Sequence, residues 1–318
     1  MPPSDALIQA GRAALKTKIK DTAQAIRFFE AWFRPFRVVS PQGVGFLTGY
    51  YEPCVTASPV ETAEFRWPIL GRPPDLVSFA AREAPAGFLN GVTGARRLSY
   101  GSLVPYDDRE TIELRRANPI VWVADAAEAF LIQVQGSAQV EFPDGSRGRL
   151  AYDGRNGLPY TSIGRILIET GEIPEADMSL ARLKAWARRA GLGEGQCGLR
   201  LLRQNRSFVF FRLVEAFDPA LGPIAGAGVP LTPLRSIAVD RTIWSYGLPF
   251  WIGADLPWRS EALSPFRRLM IAQDTGSAIV GPARGDIFFG SGDAGGTRAG
   301  AVRHVGHFAV LLPIGEEL

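Results

Sequence analysis

Three aspartates in the last third of the chain stand where a carboxyl group could exchange a proton: Asp240 in Val239-Asp240-Arg241, Asp274 in Gln273-Asp274-Thr275-Gly276, and Asp286 in Arg284-Gly285-Asp286-Ile287. Asp274 and Asp286 lie twelve residues apart, and each borders an apolar run of strand character. Seven of the twenty residues 281–300 are glycine, against 35 of 318 in the whole chain. Such backbone turns sharply and lets a bulky ligand approach main-chain N–H groups. Taken singly, an aspartate at a strand end reads as an Asx-turn residue. Three of them in this setting read as an acid/base site. Planar rings and amides, which suit sugar faces and hydroxyls, occur at Tyr50, Tyr51, Gln133 and Gln135. Core packing is an equal reading for the two tyrosines.

Composition sets the class. The 318 residues suggest about two domains with ample core. Hydrophobic residues at 46% and charged residues at 21% describe an ordinary globular protein rather than a disordered one. Lys and Arg total 35 against 32 Asp and Glu, a net charge of +3 that is too weak to point to nucleic acid. A single Asp-Thr-Gly excludes a single-chain aspartic protease, which needs two. Cys54 and Cys197 are too few for a disulfide scaffold or a cysteine-rich zinc site; they read as one bridge or two buried thiols. The histidines, His304 and His307, sit in a strand-and-turn pattern with Val302, Val305 and Phe308, and no metal is assigned to them. No run of 18 apolar residues appears. Met1 to Ala6 lacks the pattern of a signal peptide, which fits either a cytoplasmic protein or a chain from which an export segment is missing.

The elements that must position these groups follow from periodicity. Residues 4–37 are helical in pattern, ending at Pro35. Val44 to Pro53 changes to strand texture, and Val121–Asp125 and Phe130–Gly136 read as strands. On a strand, Gln133 and Gln135 share one face, which favours a cleft for the two amides. Gln139–Phe142 and Arg149–Tyr152 form a hairpin through Pro143-Asp144-Gly145. Helices are expected over Ser162–Thr170 and Ser179–Arg189, each stopped by a glycine. Short strands return at 237–240, 250–252, 269–272, 286–289 and 308–312, the texture of a barrel or sandwich.

These residues carry a resemblance. The stretch from Asp240 through Asp274 to Asp286 resembles the three-aspartate (3D) domain, and the rest is similar to the MltA family of lytic murein transglycosylases. The matching segments are Phe46-Leu47-Thr48-Gly49-Tyr50-Tyr51-Glu52-Pro53, Gln133-Val134-Gln135-Gly136-Ser137-Ala138, Tyr152 to Tyr160, Ser162-Ile163-Gly164-Arg165, Gln204 to Phe211, Gly290-Ser291-Gly292 and Arg298-Ala299-Gly300. They run in order from about residue 43 to the end of the chain. The chain departs from the family pattern at Asn205-Arg206-Ser207, at Gly136-Ser137-Ala138, and in lacking a lipoprotein signal.

The resemblance implies a mainly β protein with N-terminal helices. Residues 1–52 and 222–318 would form a discontinuous double-psi β-barrel domain, and 53–221 an inserted second β-barrel domain, with a groove between them. It implies cleavage of the β-1,4 bond between N-acetylmuramic acid and N-acetylglucosamine of peptidoglycan without water, leaving 1,6-anhydro ends. Asp286 would be acid and then base, Asp274 and Asp240 would support it, and Tyr50, Tyr51, Gln133, Gln135, Gly136 and Ser137 would bind substrate. No cofactor, metal or nucleic acid is expected. The partners are peptidoglycan glycan strands and cell-wall enzyme complexes, the protein acting as a monomer in the periplasm at the outer membrane. The rival readings are a water-using glycoside hydrolase and a non-catalytic peptidoglycan-binding module.

Overall fold

The computed structural model describes residues 2–40, 43–79 and 83–315. The chain packs as two compact units, one made of residues 1–51, 221–290 and 294–318, the other of 52–220 and 291–293.

The first unit is built on a closed ring of strands. Gly45–Glu52 pairs with Arg303–Pro313, which pairs in turn with Pro249–Leu256, Ser264–Asp274, Ser236–Ala238 and Arg284–Ser291, the last returning to Gly45–Glu52. Closure leaves no edge strand within the ring. Alternation drives the sequence into this form: in Pro249–Leu256, Phe250, Ile252, Ala254 and Leu256 are buried while Trp251 and Asp255 face out. Leu47, Ile237, Phe250, Phe266, Met270, Ile287, Phe308 and Val310 share the core. Ser236–Ala238 runs parallel to Ser264–Asp274, and Arg284–Ser291 closes the ring parallel to Gly45–Glu52, while the other four pairings are antiparallel. The expected strands at 237–240, 250–252, 269–272, 286–289 and 308–312 all contribute to the ring or its immediate continuation.

Two N-terminal helices, Asp5–Lys16 and Thr22–Trp32, are capped by Ser4 and Asp21, whose side chains accept from the amides of Leu7 and Gln24. Leu7, Ala10 and Phe28 join the barrel core. The helical reading of 4–37 fails at its end. Phe33–Val38 is a strand paired antiparallel with Arg303–Pro313, from Phe33 opposite Pro313 to Val38 opposite Phe308. It lies outside the closed ring as an edge strand, where Pro35 has no ladder N–H to withhold.

The second unit also closes into a ring, through weaker seams. A four-stranded sheet runs in the order Val209–Val214, Arg147–Arg155, Ser137–Glu141, Cys54–Thr56. Trp67–Leu70 pairs with Pro119–Val123. Isolated bridges from Gly71 to Phe211 and from Ser58 to Trp122 join this pair to both ends of the sheet. Ala57, Ile69, Val121, Ile132, Val140, Leu150 and Phe211 fill the space enclosed. Helices Ile163–Glu169, Leu180–Arg189 and Cys197–Arg203 pack with Ala126–Gln135 in a separate core. The expected hairpin is present, with Glu141 opposite Arg147 and Gly145 at φ +81°.

Phe130–Gly136 is the main misreading. It belongs to helix Ala126–Gln135, capped by the Asp125 carboxylate at the Glu128 amide and terminated by Gly136 at φ +81°. The apolar run Phe130-Leu131-Ile132 suggested a buried strand, but Asp125 followed three residues later by Glu128 is a capping-box start. Cys54 and Cys197 are exposed and free, which corrects the reading of a bridge or of buried thiols.

One glycine is required by both torsion and space. Gly157 sits at φ +82°, and a Cβ there would lie 2.0 Å from the Gly94 amide nitrogen. Because the obstacle is backbone, Gly157→Ala is expected to cost about 2 kcal/mol or more in equilibrium unfolding. A variant as stable as the parent would show that this loop adjusts freely.

Candidate active site

Strand Ser236–Ala238 is the shared neighbour that gathers two of the acids. Ala238 stands opposite Asp286 on its antiparallel side and beside Asp274 on its parallel side. Residues in lateral register point to the same face of a sheet. Asp240 follows two residues beyond the end of this strand. Asp274 and Asp286, twelve residues apart in the chain, are thus held on the two sides of one three-residue strand.

A second alternation completes the arrangement. Thr48 and Tyr50 are two apart on Gly45–Glu52 and share a face. The Thr48 hydroxyl donates to Asp286 Oδ1 at 2.6 Å, and the Tyr50 hydroxyl donates to Asp274 Oδ2 at 2.9 Å. Arg284, two before Asp286, donates from Nη2 to Thr48 Oγ1 at 2.7 Å and from Nη1 to the Gly285 carbonyl at 2.6 Å.

The three carboxyl groups differ in their surroundings. Asp286 is half-buried, and desolvation pushes its pKa above the ordinary aspartate range. The Arg284 charge and the Thr48 hydrogen bond pull it back, and the Asp274 charge adds a smaller upward push. Asp274 is raised by burial too, but its Oδ1 accepts from the Thr275 amide at 2.9 Å and the Gly226 amide at 3.4 Å. For Asp240, burial acts upward and is outweighed by the Gly281 amide at 2.7 Å and by the hydroxyl and amide of Thr242, so the group is held below the usual range. Asp240 and Asp274 are therefore anchors for loops. Asp286 alone combines a raised pKa with an oxygen, Oδ2, on which no protein donor converges among the described residues.

Both tyrosines are tied into the barrel unit. The Tyr50 hydroxyl is engaged by Asp274, its ring lies 5.3 Å from that of Phe288, and burial with the Asp274 charge holds its pKa well above the ordinary value. Tyr51 is half-buried and packs on the barrel core. A Cβ on Gly296 would lie 2.7 Å from its ring, so the glycine of helix Gly292–Gly300 is needed there for packing.

Gln133, Gln135, Gly136 and Ser137 belong to the second unit. Gln133 and Gln135 lie on a helix, where residues two apart are about 200° apart and face different directions, so the shared-face argument for them fails. Gln133 is buried at 6% exposure, and its Oε1 has no hydrogen-bond partner among the described residues. Gly136 donates its amide to the Ile132 carbonyl at 2.9 Å, and Ser137 is buried at the start of strand Ser137–Glu141. His304 and His307 are on strand Arg303–Pro313, three apart and so on opposite faces.

Thr48 and Arg284 were not singled out by sequence. The signal was available: Thr48 is two residues before Tyr50 and Arg284 two before Asp286, so strand alternation alone puts each beside a candidate group.

Comparisons with known proteins fit this architecture. The family described as MltA specific insert domain matches residues 46–212, and the 3D domain matches residues 235–312. Membrane-bound lytic murein transglycosylase A of Escherichia coli K12 is 33% identical over 268 residues, which cover 83% of this chain. The chain spans 64% of that relative's length. The crystal structure of a membrane-bound lytic murein transglycosylase from Agrobacterium tumefaciens superposes with a TM-score of 0.86 at 38% identity, covering 97% of this chain and 84% of that one. The structure of E. coli MltA with bound chitohexaose gives a TM-score of 0.71 at 28% identity, covering 96% and 82%. With one family match spanning more than half of its residues and the 3D match completing the barrel that carries all three aspartates, this chain belongs to the MltA family.

Proposed function

We propose that this protein is a peptidoglycan lytic transglycosylase that uses Asp286 as its only acid and base. The observation that carries the reading is the contrast among the three aspartates. Asp286 has a carboxyl raised by burial and one oxygen that no donor among the described residues reaches, whereas Asp240 and Asp274 are held by backbone amides. The E. coli relative's structure contains chitohexaose, an oligosaccharide, and we carry glycan binding over to this chain from that likeness.

The residues fit the chemistry in two steps. Protonated Asp286 gives its proton to the glycosidic oxygen as the bond from that oxygen to C1 of N-acetylmuramic acid breaks. The resulting carboxylate then takes the proton of the muramic C6 hydroxyl as its oxygen bonds to C1, closing the 1,6-anhydro ring. Asp286 ends protonated, ready for another cycle. The nucleophile is tethered to the sugar it attacks, so little entropy is lost in bringing it up. No second carboxylate is required to activate water or to form a glycosyl ester, as the two-acid glycosidases need.

Mass analysis of products released from purified murein tests the reaction. Anhydro-muropeptides are expected. Reducing ends would instead identify a hydrolase, and murein binding without release a non-catalytic module. We place the protein in the periplasm at the outer membrane, acting as a monomer on glycan strands alongside other cell-wall enzymes, from its likeness to relatives named as membrane-bound. No helix among the described residues is long and apolar enough to cross a membrane.

A further inference from the structure

We propose that Thr48, anchored by Arg284, is a positioning residue that commits Asp286 Oδ1 to accepting a hydrogen bond and so makes Oδ2 the oxygen that carries the exchanging proton. The inference rests on the reading of Asp286 as the acid, and it specifies which of its two oxygens acts.

The argument is a count of protons. A guanidinium has donors only, so the 2.7 Å contact between Arg284 Nη2 and Thr48 Oγ1 is a donation to the hydroxyl oxygen. A threonine hydroxyl has one proton. With its oxygen occupied by Arg284, that proton is directed at the acceptor 2.6 Å away, Asp286 Oδ1. A carboxylic proton placed on Oδ1 would face the hydroxyl proton head-on. Turning the hydroxyl to avoid this would leave its proton without an acceptor beside the Arg284 donor, in a half-buried site where an unmade hydrogen bond is costly. Oδ2 has no such conflict, since no protein donor reaches it among the described residues.

The strand geometry makes this selection rigid. Arg284 and Asp286 lie on the same face of one strand, and Thr48 comes from the neighbouring strand of the closed ring. Arg284 is fixed further by its second donation, from Nη1 to the Gly285 carbonyl at 2.6 Å. The charged and titratable groups acting on Asp286 are Arg284 on its own strand, Tyr50 on the Thr48 strand and Asp274 on the far side of Ser236–Ala238. Among them only Arg284 is joined to Asp286 through a hydroxyl, so removing that hydroxyl isolates the relay.

The experiment is a carboxyl 13C titration of Asp286, assigned by loss of its resonance in Asp286→Asn, in the wild type, Thr48→Val and Thr48→Ser. Loss of a hydrogen bond to the charged form is expected to raise the Asp286 pKa in Thr48→Val by about one pH unit. Thr48→Ser, which keeps the hydroxyl, should titrate as the wild type does. The high-pH limb of kcat/KM on murein should move upward by the same amount in Thr48→Val, with kcat at the optimum reduced roughly tenfold. Should Thr48→Val not fold, Thr48→Ala carries the same expectations. Superimposable titrations for wild type and the hydroxyl-free variant would overturn the proposal, as would a Thr48→Ser variant that behaves like Thr48→Val. The titration needs no turnover, so it decides the role of Thr48 even if Asp286→Asn retains activity and the acid assignment itself fails.

Discussion

Asp286→Asn is expected to reduce release of soluble muropeptides from murein by about a thousandfold or more while leaving the fold and saccharide binding in place. A positioned acid/base contributes roughly 10²–10⁴ in rate, and in the proposed mechanism one group serves both steps, so its loss falls at the upper end of that range. Asparagine has nearly the same shape, and its Oδ1 can still accept from Thr48, so the barrel has no reason to rearrange. The amide cannot give up a proton to the leaving oxygen. Oligosaccharide affinity, measured by calorimetry, should stay within a few-fold of the wild type. Undiminished muropeptide release from a verified Asp286→Asn preparation would remove the assignment. The pH dependence follows from the same group. The first step needs the acid form, and burial raises the pKa of Asp286, so activity should persist to higher pH than an ordinary aspartate would allow and fall as pH rises through the raised value.

Arg149→Met is expected to destabilise the second unit by about 3–5 kcal/mol, the usual cost of removing one partner from a buried ion pair. Glu52 is fully buried, and Arg149 is nearly so. Arg149 Nε lies 2.8 Å from Glu52 Oε1, and Nη2 donates to Oε2 at 3.1 Å. Gln139 Nε2 at 3.0 Å and the Ser291 hydroxyl at 2.7 Å complete the coordination of Oε2, and the Phe217 ring covers the guanidinium at 4.4 Å. Without Arg149 the carboxylate remains buried with two neutral donors, or must take up a proton to fold. Equilibrium denaturation followed by a probe in residues 52–220 measures the effect. The double variant Glu52→Leu/Arg149→Met should recover most of the loss, because desolvation of both charges is then avoided. A single variant costing under about 1 kcal/mol would show that the pair contributes little.

The errors in reading individual elements share a cause. Phe33–Val38 and Phe130–Gly136 are short apolar stretches, for which local periodicity does not distinguish strand from helix. The first became a strand because Arg303–Pro313, nearly 300 residues later, offers it a ladder. The second became a helix because its cap at Asp125 and stop at Gly136 act locally. Long amphipathic or strictly alternating segments, such as Pro249–Leu256 and the hairpin of Ser137–Glu141 with Arg147–Arg155, are recognisable because one periodicity dominates.

The amino-acid sequence by itself determined the MltA family, the β-rich character of the chain and its three candidate acids, since these depend on residue type, order and local period. Only the tertiary structure decided how those acids differ. Thr48 and Asp286 are 238 positions apart, and Tyr50 and Asp274 are 224 apart. Ring closure sets which strands adjoin, and a three-residue strand sets the register that brings Asp274 and Asp286 to its two sides. Desolvation and hydrogen bonding are properties of such an assembled neighbourhood and of no single segment, so three aspartates alike in sequence become one carboxyl held low by its donors, one raised but bound on both oxygens, and one raised with an oxygen to which no donor among the described residues is directed.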